Sequence, residues 1–251
     1  FKIKSLLKKK TIRLLIPFLL IGLFYLIPIR FIANYPPYES TSLIRIIYSF
    51  LTVNDCGHLW FLPTLLGIFI IATVLIRMTK SKQSTLICIV LMLYILSPYL
   101  SSFLLITSTK YLFFFFMGYF INQYGKQIFS IKAIYHGLAT LGILLIAYVL
   151  IFHNENRVVT TFTSITIIAS LYYFMPHRTN RFILWLDKNS FGIYLFHSPL
   201  MYIIMNKFSI IAPPAILVPM NLIFGIGGSL IITYFLRAIK CSFVIGEKND
   251  R

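Results

Sequence analysis

The chain has 251 residues, of which 59% are hydrophobic and only 12% are charged. A soluble domain carries about 45–50% apolar and about 25% charged residues, so this composition excludes a water-soluble globular protein. The formal net charge of +17 does not indicate nucleic-acid binding, because the basic residues form short clusters between hydrophobic runs, as in the loops of membrane proteins.

Hydrophobic runs long enough to cross a bilayer recur along the whole chain and predict an all-α protein, a polytopic bundle of transmembrane helices. About eight spans are predicted, and residues 1–251 are expected to form a single transmembrane domain without a soluble domain. The predicted spans are 14–32, 58–76, 84–105, 109–124 (a short one), 133–152, 159–176, 189–207 and 216–236.

The distribution of lysine and arginine predicts the orientation of the bundle. With the N-terminus in the cytoplasm, 18 of these residues lie on the inner side and 5 on the outer side. Cytoplasmic loops of membrane proteins carry the excess of basic residues. Both termini are therefore predicted to be cytoplasmic.

The longest outer segment covers residues 32–57. A turn-rich stretch at Asn34–Tyr38 precedes Ser42–Leu51, which is predicted to form a short helix that is apolar on one side. This helix either lies on the outer surface or dips back as a re-entrant segment. On the inner side, residues 181–188 form an amphipathic stretch in which Trp185 suits the membrane interface.

Prolines interrupt several predicted spans, and each removes a backbone donor and tends to kink its helix. This pattern is compatible with ordinary membrane-helix geometry or with a bent bundle that surrounds a cavity. These prolines include Pro17, Pro63, Pro98, Pro199 and Pro219.

Histidine is the most informative ionisable residue within the spans. No Asp or Glu lies in a predicted span, which argues against a proton-relay pump or a carboxylate-coupled transporter. His197 lies within the seventh span and needs hydrogen-bond partners there. Ser190, Tyr194 and His197 share one helix face, which is either a polar patch that joins helices or a pocket for substrate and acyl transfer.

His58 begins the second span and is expected at the outer headgroup level, where a water-soluble acceptor could reach it. Asp55 and His58 could form an acid–base dyad, although histidines at an interface are often structural. Trp60 is expected to anchor the interface. Asp55, Cys56 and His58 do not make a convincing metal or cysteine-nucleophile site. The remaining histidines, predicted to be structural or solvated, are His136, His153 and His177.

Two basic clusters lie at the inner ends of predicted spans. Lys8–Lys10 with Arg13 precede the first span, and Arg178 with Arg181 precede the seventh. Such clusters set topology and attract anionic lipids. They also suit the phosphate groups of a cytoplasmic ligand, and the sequence leaves both interpretations open.

Three stretches resemble the membrane acyltransferase family 3, whose members O-acylate cell-surface polysaccharides and related molecules. Residues 8–17 resemble the basic segment that leads into a helix, with Lys10 and Arg13 spaced as in an Arg-x-x-Arg-type motif. Residues 58–62 (HLWFL) resemble the family's helix start. Residues 190–200 (SFGIYLFHSPL) resemble its late S-x-G-I-Y-L-x-H-x-P segment.

The resemblance implies an O-acyltransferase in a bacterial plasma membrane that uses acetyl-CoA or another acyl-CoA as donor and a carbohydrate as acceptor. It assigns Lys10 and Arg13 to the donor phosphates and His58 and His197 to catalysis, where they polarise or position the acceptor. Trp60, Ser190 and Tyr194 are then expected in substrate binding. Neither a permanently bound cofactor nor a metal is implied.

The resemblance also implies about ten spans, the first two carrying a basic residue followed eleven positions later by a histidine. None of the five histidines here has a basic residue at that spacing, and Phe1 fits a chain cut after the second span. The segment alone is then expected to lack that histidine. Two other hypotheses are a transporter or flippase of lipid-linked sugars or small metabolites, and a non-catalytic partner of a polysaccharide synthase.

Overall fold

A computed structural model describes residues 3–80, 82–128, 137, 140–146, 148, 157–174 and 180–247. All regular secondary structure in these residues is helical, which confirms the all-α prediction. The chain divides into two compact units, Phe1–Tyr111 with Arg181–Arg251, and Leu112–Asn180. The first unit contains all the residues of the candidate site that are discussed below.

The first long helix runs from α1 (Ile3–Ile21) through a π-helical turn (Gly22–Leu26) into α2 (Ile27–Ile32) without a break. Pro28 has no N–H for the carbonyl four residues earlier, and the widened turn accommodates this loss. The continuous stretch Leu7–Ile32 is apolar enough to cross a membrane. It covers the predicted first span.

The remaining helices follow the predicted order. Gly57–Met78, Phe103–Tyr124 and Pro214–Ala238 also have the length and apolar composition of membrane spans, whereas most of the predicted fifth span lies outside the described residues. The total number of spans and the orientation of the termini stay predictions. The helices are α3 (Pro36–Glu39), α4 (Leu43–Leu51), α5 (Phe61–Met78), α6 (Gln83–Leu96), α7 (Phe103–Ile128), α8 (Arg157–Phe174), α9 (Arg181–Phe208) and α10 (Pro214–Ala238).

The predicted third span, 84–105, is wrong at its C-terminal end. Helix α6 ends at Leu96, a 3₁₀ turn covers Ser97–Tyr99, and Leu100 is extended with φ −79° and ψ 146°. Pro98 cannot donate a helical hydrogen bond, and the hydroxyl of Ser97 bonds back to the carbonyl of Tyr94 at 2.9 Å, which closes the helix. The next helix therefore begins at Phe103 and is longer than the short span predicted at 109–124.

Helix α4 folds back against the first long helix. Its Phe50 is fully buried and stacks on Phe18, with ring centroids 4.6 Å apart. A Cβ at Gly22 would overlap the Phe50 ring, so glycine leaves the space that this ring fills. Phe18 lies about 21 Å along the helix axis from the end of α2 at Ile32. Residues 43–57 thus fold back along the first long helix, as the re-entrant alternative predicts, and they are called the re-entrant segment below.

Helices α9 and α10 pack together through small residues. A Cβ at Gly192 would clash with the side chain of Thr233, and Ser229 and Thr233 are fully buried. Both hydroxyls bond to carbonyls of their own helix, so they bring no unpaired polar group into the interface. Close backbone approach at small residues is the usual way in which membrane helices associate.

Candidate functional site

The structure brings two histidines from distant parts of the chain together. His58 lies on the 3₁₀ turn Gly57–Trp60 before α5, and His197 lies about halfway along α9. Their ring centroids are 5.3 Å apart, with an angle of 70° between the planes. His58 therefore lies beside the middle of a long helix, and its expected position at the outer headgroup level stays a prediction.

The imidazole of His58 is fixed by a backbone carbonyl of α9. Its Nε2 lies 3.0 Å from the carbonyl oxygen of Leu195, and because a carbonyl only accepts, Nε2 carries the hydrogen. This carbonyl is free because the residue four positions later is Pro199, which has no N–H. The other ring nitrogen, Nδ1, is buried and has no hydrogen-bond partner among the described residues.

Tyr194 holds the backbone of the same turn. Its hydroxyl donates to the carbonyl oxygen of His58 at 2.6 Å, and its ring makes an edge contact with the His58 ring at 5.7 Å. One turn of α9 therefore makes two hydrogen bonds to His58, through the Leu195 carbonyl and the Tyr194 hydroxyl. This geometry gives Tyr194 a positioning role, and its predicted contact with substrate stays a prediction.

His197 is also held by backbone carbonyls. Its Nδ1 lies 2.9 Å from the carbonyl oxygens of both Ile193 and Tyr194, so Nδ1 carries the hydrogen and Nε2 keeps its lone pair. His197 lines a cavity of about 320 Å³ between α9 and α10. The same cavity is lined by Asn221, whose Oδ1 is buried without a partner in the described part of the chain.

Arg30 lies next to the histidine site but was not among the residues that the sequence predicted for it. It is only 2% exposed, and its guanidinium lies 4.5 Å from the ring centroid of Tyr35 and 5.6 Å from that of Tyr202. Its Nη1 donates to Asp55 at 2.8 Å and to the hydroxyl of Tyr38 at 3.2 Å. A buried cation therefore links the end of the first long helix, the re-entrant segment and α9.

The predicted dyad of Asp55 and His58 is wrong, because Asp55 pairs with Arg30 instead. The turn between the two residues is shaped by Gly57, which has a φ of +53°. A Cβ at this position would lie 2.7 Å from Nη2 of Arg30, so only glycine fits both the backbone conformation and the packed guanidinium.

Cys56 lies in an environment that disfavours a nucleophilic thiolate. Its side chain is 2% exposed, and burial raises the pKa of its thiol to about 12. A reactive cysteine needs a lowered pKa and access to solvent. The sequence-based view that this cysteine is no convincing nucleophile agrees with this environment.

Two other predicted site residues lie away from the histidine pair. The ring of Trp60 packs against Tyr111 and Phe103, with centroids 5.5 Å and 6.3 Å apart. Ser190 is exposed, and its hydroxyl donates to the carbonyl of Asp187 at 2.8 Å. Seven residues of helix separate it from His197, which is about 10 Å along the axis. Their roles in substrate binding stay predictions.

A second cavity, of about 650 Å³, lies near the N-terminal end of the first long helix. Lys9, Arg13 and Lys188 line it together with Glu247, and Glu247 is paired with Arg237 at 2.6 Å. Arg13 therefore lies where an anion could bind. Lys10 instead places its ammonium 4.8 Å from the ring centroid of Phe69 on α5.

Arg237 closes this end of the bundle. It holds both carboxylate oxygens of Glu247, at 2.9 Å and 2.6 Å, and donates to Oδ1 of the fully buried Asn189 at 2.7 Å. Because Glu247 is neutralised by this bidentate pair, the remaining basic side chains dominate the cavity. His136, His153, His177 and Arg178 lie outside the described residues.

Apolar helices long enough to cross a bilayer, together with a pair of partly buried histidines anchored by backbone carbonyls, define an integral membrane protein with a polar site within its helices. Residues 1–238 match the family described as "Acyltransferase domain", the membrane acyltransferase family 3. The match covers most of the chain, so the protein belongs to this acyltransferase family. Comparisons with curated proteins and with solved structures give no match.

Proposed function

We propose that the protein is a membrane O-acyltransferase that moves an acyl group, in the first instance acetyl, from a cytoplasmic acyl-CoA to a hydroxyl of a cell-surface polysaccharide or its lipid-linked precursor. The observation that carries this proposal is the His58–His197 pair, in which backbone carbonyls fix both tautomers. Each ring then presents one nitrogen with a free lone pair, which is the requirement for a general base.

His197 is the better candidate for the base. Its side chain lines the cavity between α9 and α10, whereas Nδ1 of His58 is buried. The hydroxyl oxygen attacks the thioester carbonyl carbon while Nε2 of His197 takes the hydroxyl proton. The carbon–sulfur bond then breaks, and the proton passes from the imidazolium to the leaving thiolate. The products are the O-acyl ester and free coenzyme A.

The basic cavity at the other end of the bundle suits the phosphates of the donor. Lys9, Arg13 and Lys188 present cationic groups on its wall, and arginine and lysine are the usual phosphate ligands. Lys10 remains a candidate ligand of the donor phosphates, because its spacing from Arg13 resembles the family's motif. The contact between Lys10 and Phe69 makes Lys9 the natural comparison in mutagenesis.

The first experiment measures ester-linked acyl groups on surface glycans by mass spectrometry, in cells that carry the protein as its gene encodes it. His197→Gln is expected to lower the acylation rate by at least about a hundredfold, the usual share of a general base. His58→Gln is expected to have a smaller effect, since His58 supports its neighbour. Lys207→Gln, a change at an exposed position at the end of α9, is the control.

A glycan profile that is the same in His197→Gln and wild-type cells would remove the proposal. The donor site is tested separately with Lys9→Ala, Lys10→Ala and Arg13→Ala, each compared for its dependence on acyl-CoA concentration. Arg13→Ala and Lys9→Ala are expected to raise the KM for the donor. Unchanged donor kinetics in all three variants would exclude a phosphate site at this cavity.

A further inference from the structure

A third cavity, of about 330 Å³, lies beside the re-entrant segment. Its polar lining comes from the loop around α3, from one face of α4 and from the residues just before His58: Tyr38, Thr41, Arg45, Ser49 and Asp55. Ligand pockets commonly range from about 300 to about 1,000 Å³. The cavity is therefore large enough for one small polar unit.

Three polar groups on this wall are available to a ligand. Asp55 uses Oδ1 for Arg30, and its Oδ2 has no partner among the described residues. The guanidinium of Arg45 and the hydroxyl of Ser49 also have no hydrogen-bond partner within the described part of the chain. Arg45 and Ser49 are four residues apart on α4, so they project from the same helix face.

The carboxylate of Asp55, the hydrogen-bond acceptor of this wall, is held in place without a ligand. The backbone N–H of Asp55 donates to the carbonyl of Ser49 at 3.1 Å, and its carboxylate is fixed by Arg30, which is itself packed among tyrosine rings. Burial raises the pKa of Tyr38, so its hydroxyl keeps its proton while it accepts a hydrogen bond from Arg30. A rigid set of donors and acceptors loses little entropy on binding.

The cavity wall carries one positive and one negative group, Arg45 and Asp55, and this combination indicates the class of ligand. A phosphate or carboxylate would find Arg45 favourable but would meet the charge of Asp55 on the same wall. Neighbouring sugar hydroxyls satisfy both groups, because each hydroxyl donates one hydrogen bond and accepts others. Asp55 also lies three residues before His58 in the chain, and Arg30 touches the intervening Gly57.

We propose that this cavity is the acceptor subsite, which binds one saccharide unit through neighbouring hydroxyls. The free oxygen of Asp55 accepts from one hydroxyl, Arg45 donates to the next, and Ser49 completes the set. The inference rests on the proposed acyltransferase function and adds the location and chemistry of acceptor binding. A saccharide held here lies against the segment that leads into His58.

Binding is measured without donor, by saturation-transfer NMR on the protein in lipid nanodiscs. The probes are methyl glucoside, methyl galactoside, N-acetylglucosamine and methyl glucuronoside. At least one of the three neutral sugars is expected to bind, and methyl glucuronoside is expected to bind more weakly because its carboxylate meets the charge of Asp55. Arg45→Gln is expected to weaken binding of the neutral sugar about tenfold or more, as for a lost hydrogen bond to a charged group. Lys207→Gln is the matched control, since it removes a cation at the exposed end of α9, and its binding is expected to equal that of the wild type.

Ser49→Cys supplies a second measurement. A water-soluble methanethiosulfonate reagent is expected to label this cysteine, and the sugar that binds in the NMR experiment is expected to slow labelling. Lys207→Cys should be labelled at the same rate with and without sugar. Absence of binding by all three neutral sugars, equal binding by Arg45→Gln and wild type, or labelling of Ser49→Cys that sugar does not slow would each overturn the subsite.

These outcomes are separate from a failure of the proposed function. His197→Gln is expected to lose acyl transfer and to keep sugar binding, because His197 does not line this cavity. If acylation persists in His197→Gln cells while the sugar experiments succeed, the function is wrong and the saccharide site stands. If transfer depends on His197 and the sugar experiments fail, the subsite alone is wrong.

Discussion

Removal of Asp55 should destabilise the fold more than removal of its partner Arg30, because the two side chains differ in access to solvent. Arg30 is 2% exposed, whereas Asp55 is 34% exposed. In Asp55→Ala a buried guanidinium loses its counter-charge, which costs about 3–5 kcal/mol for a buried pair. The partial exposure of Asp55 and the tyrosine rings around Arg30 place the expected cost near the lower limit, about 3 kcal/mol.

Arg30→Met should cost less, about 2 kcal/mol. It loses one strong charge-assisted hydrogen bond and the cation–π contacts. The methionine keeps much of the packing, and water can reach the carboxylate of Asp55 because about a third of that side chain is exposed. In the double variant no charge is left buried. Arg30→Met/Asp55→Ala should therefore be more stable than Asp55→Ala alone. A coupling energy of about 3 kcal/mol leaves the double variant with a cost of about 2 kcal/mol.

The assay is unfolding of the purified protein in mixed micelles with a rising fraction of sodium dodecyl sulfate, followed by tryptophan fluorescence. Free energies of unfolding for the wild type, both single variants and the double variant complete the cycle. If the double variant is no more stable than Asp55→Ala, the buried charge is not the source of the cost, and the reasoning from exposure fails.

Three further outcomes are expected. Pro199→Ala restores a helical N–H that competes with His58 for one carbonyl, so acylation should fall about tenfold or more while helicity by circular dichroism is kept. Gly192→Ala overpacks the interface between α9 and α10 and should cost about 1–3 kcal/mol in the micelle assay, whereas Gly227→Ala, which meets open space, should not destabilise. Burial raises the pKa of the Cys56 thiol and shields it from reagents, so maleimide labelling of this cysteine at pH 8 should be slow in the folded protein and fast after unfolding.

The helices could be predicted from the sequence because hydrophobic length is a local property. Runs of apolar residues located both ends of α5 and α10 to within about three residues, whereas α1 begins eleven residues and α9 eight residues before the predicted spans. The error at α6 also has a local cause, since Pro98 followed by Ser101 and Ser102 indicates a helix end that total hydrophobicity obscures. The re-entrant path of residues 43–57 depends on Phe50 meeting Phe18 and Gly22, and no local pattern contains that contact.

The site was only partly predictable for the same reason. Sequence identified His58 and His197 separately, but their contact requires the re-entrant segment to lower one of them to the middle of α9. Arg30 was counted among the outer charges, although an arginine within an apolar span, facing a loop with an aspartate, is a signal for a buried pair. Pro199 offered a second signal, because a proline in a helix leaves the carbonyl of Leu195 free for an outside donor.

The chemistry of the pair follows from what holds it. Within the described residues, backbone carbonyls contact both imidazoles, and the carboxylate of Asp55, three residues before His58, is engaged by Arg30. An imidazolium formed on His197 in the proposed transfer therefore has no acidic partner in the described part of the chain to stabilise it. In the proposed reaction, the proton that His197 takes passes to the leaving thiolate as the carbon–sulfur bond breaks. Such a site favours direct transfer between bound donor and acceptor over a charged histidine that waits for a second substrate.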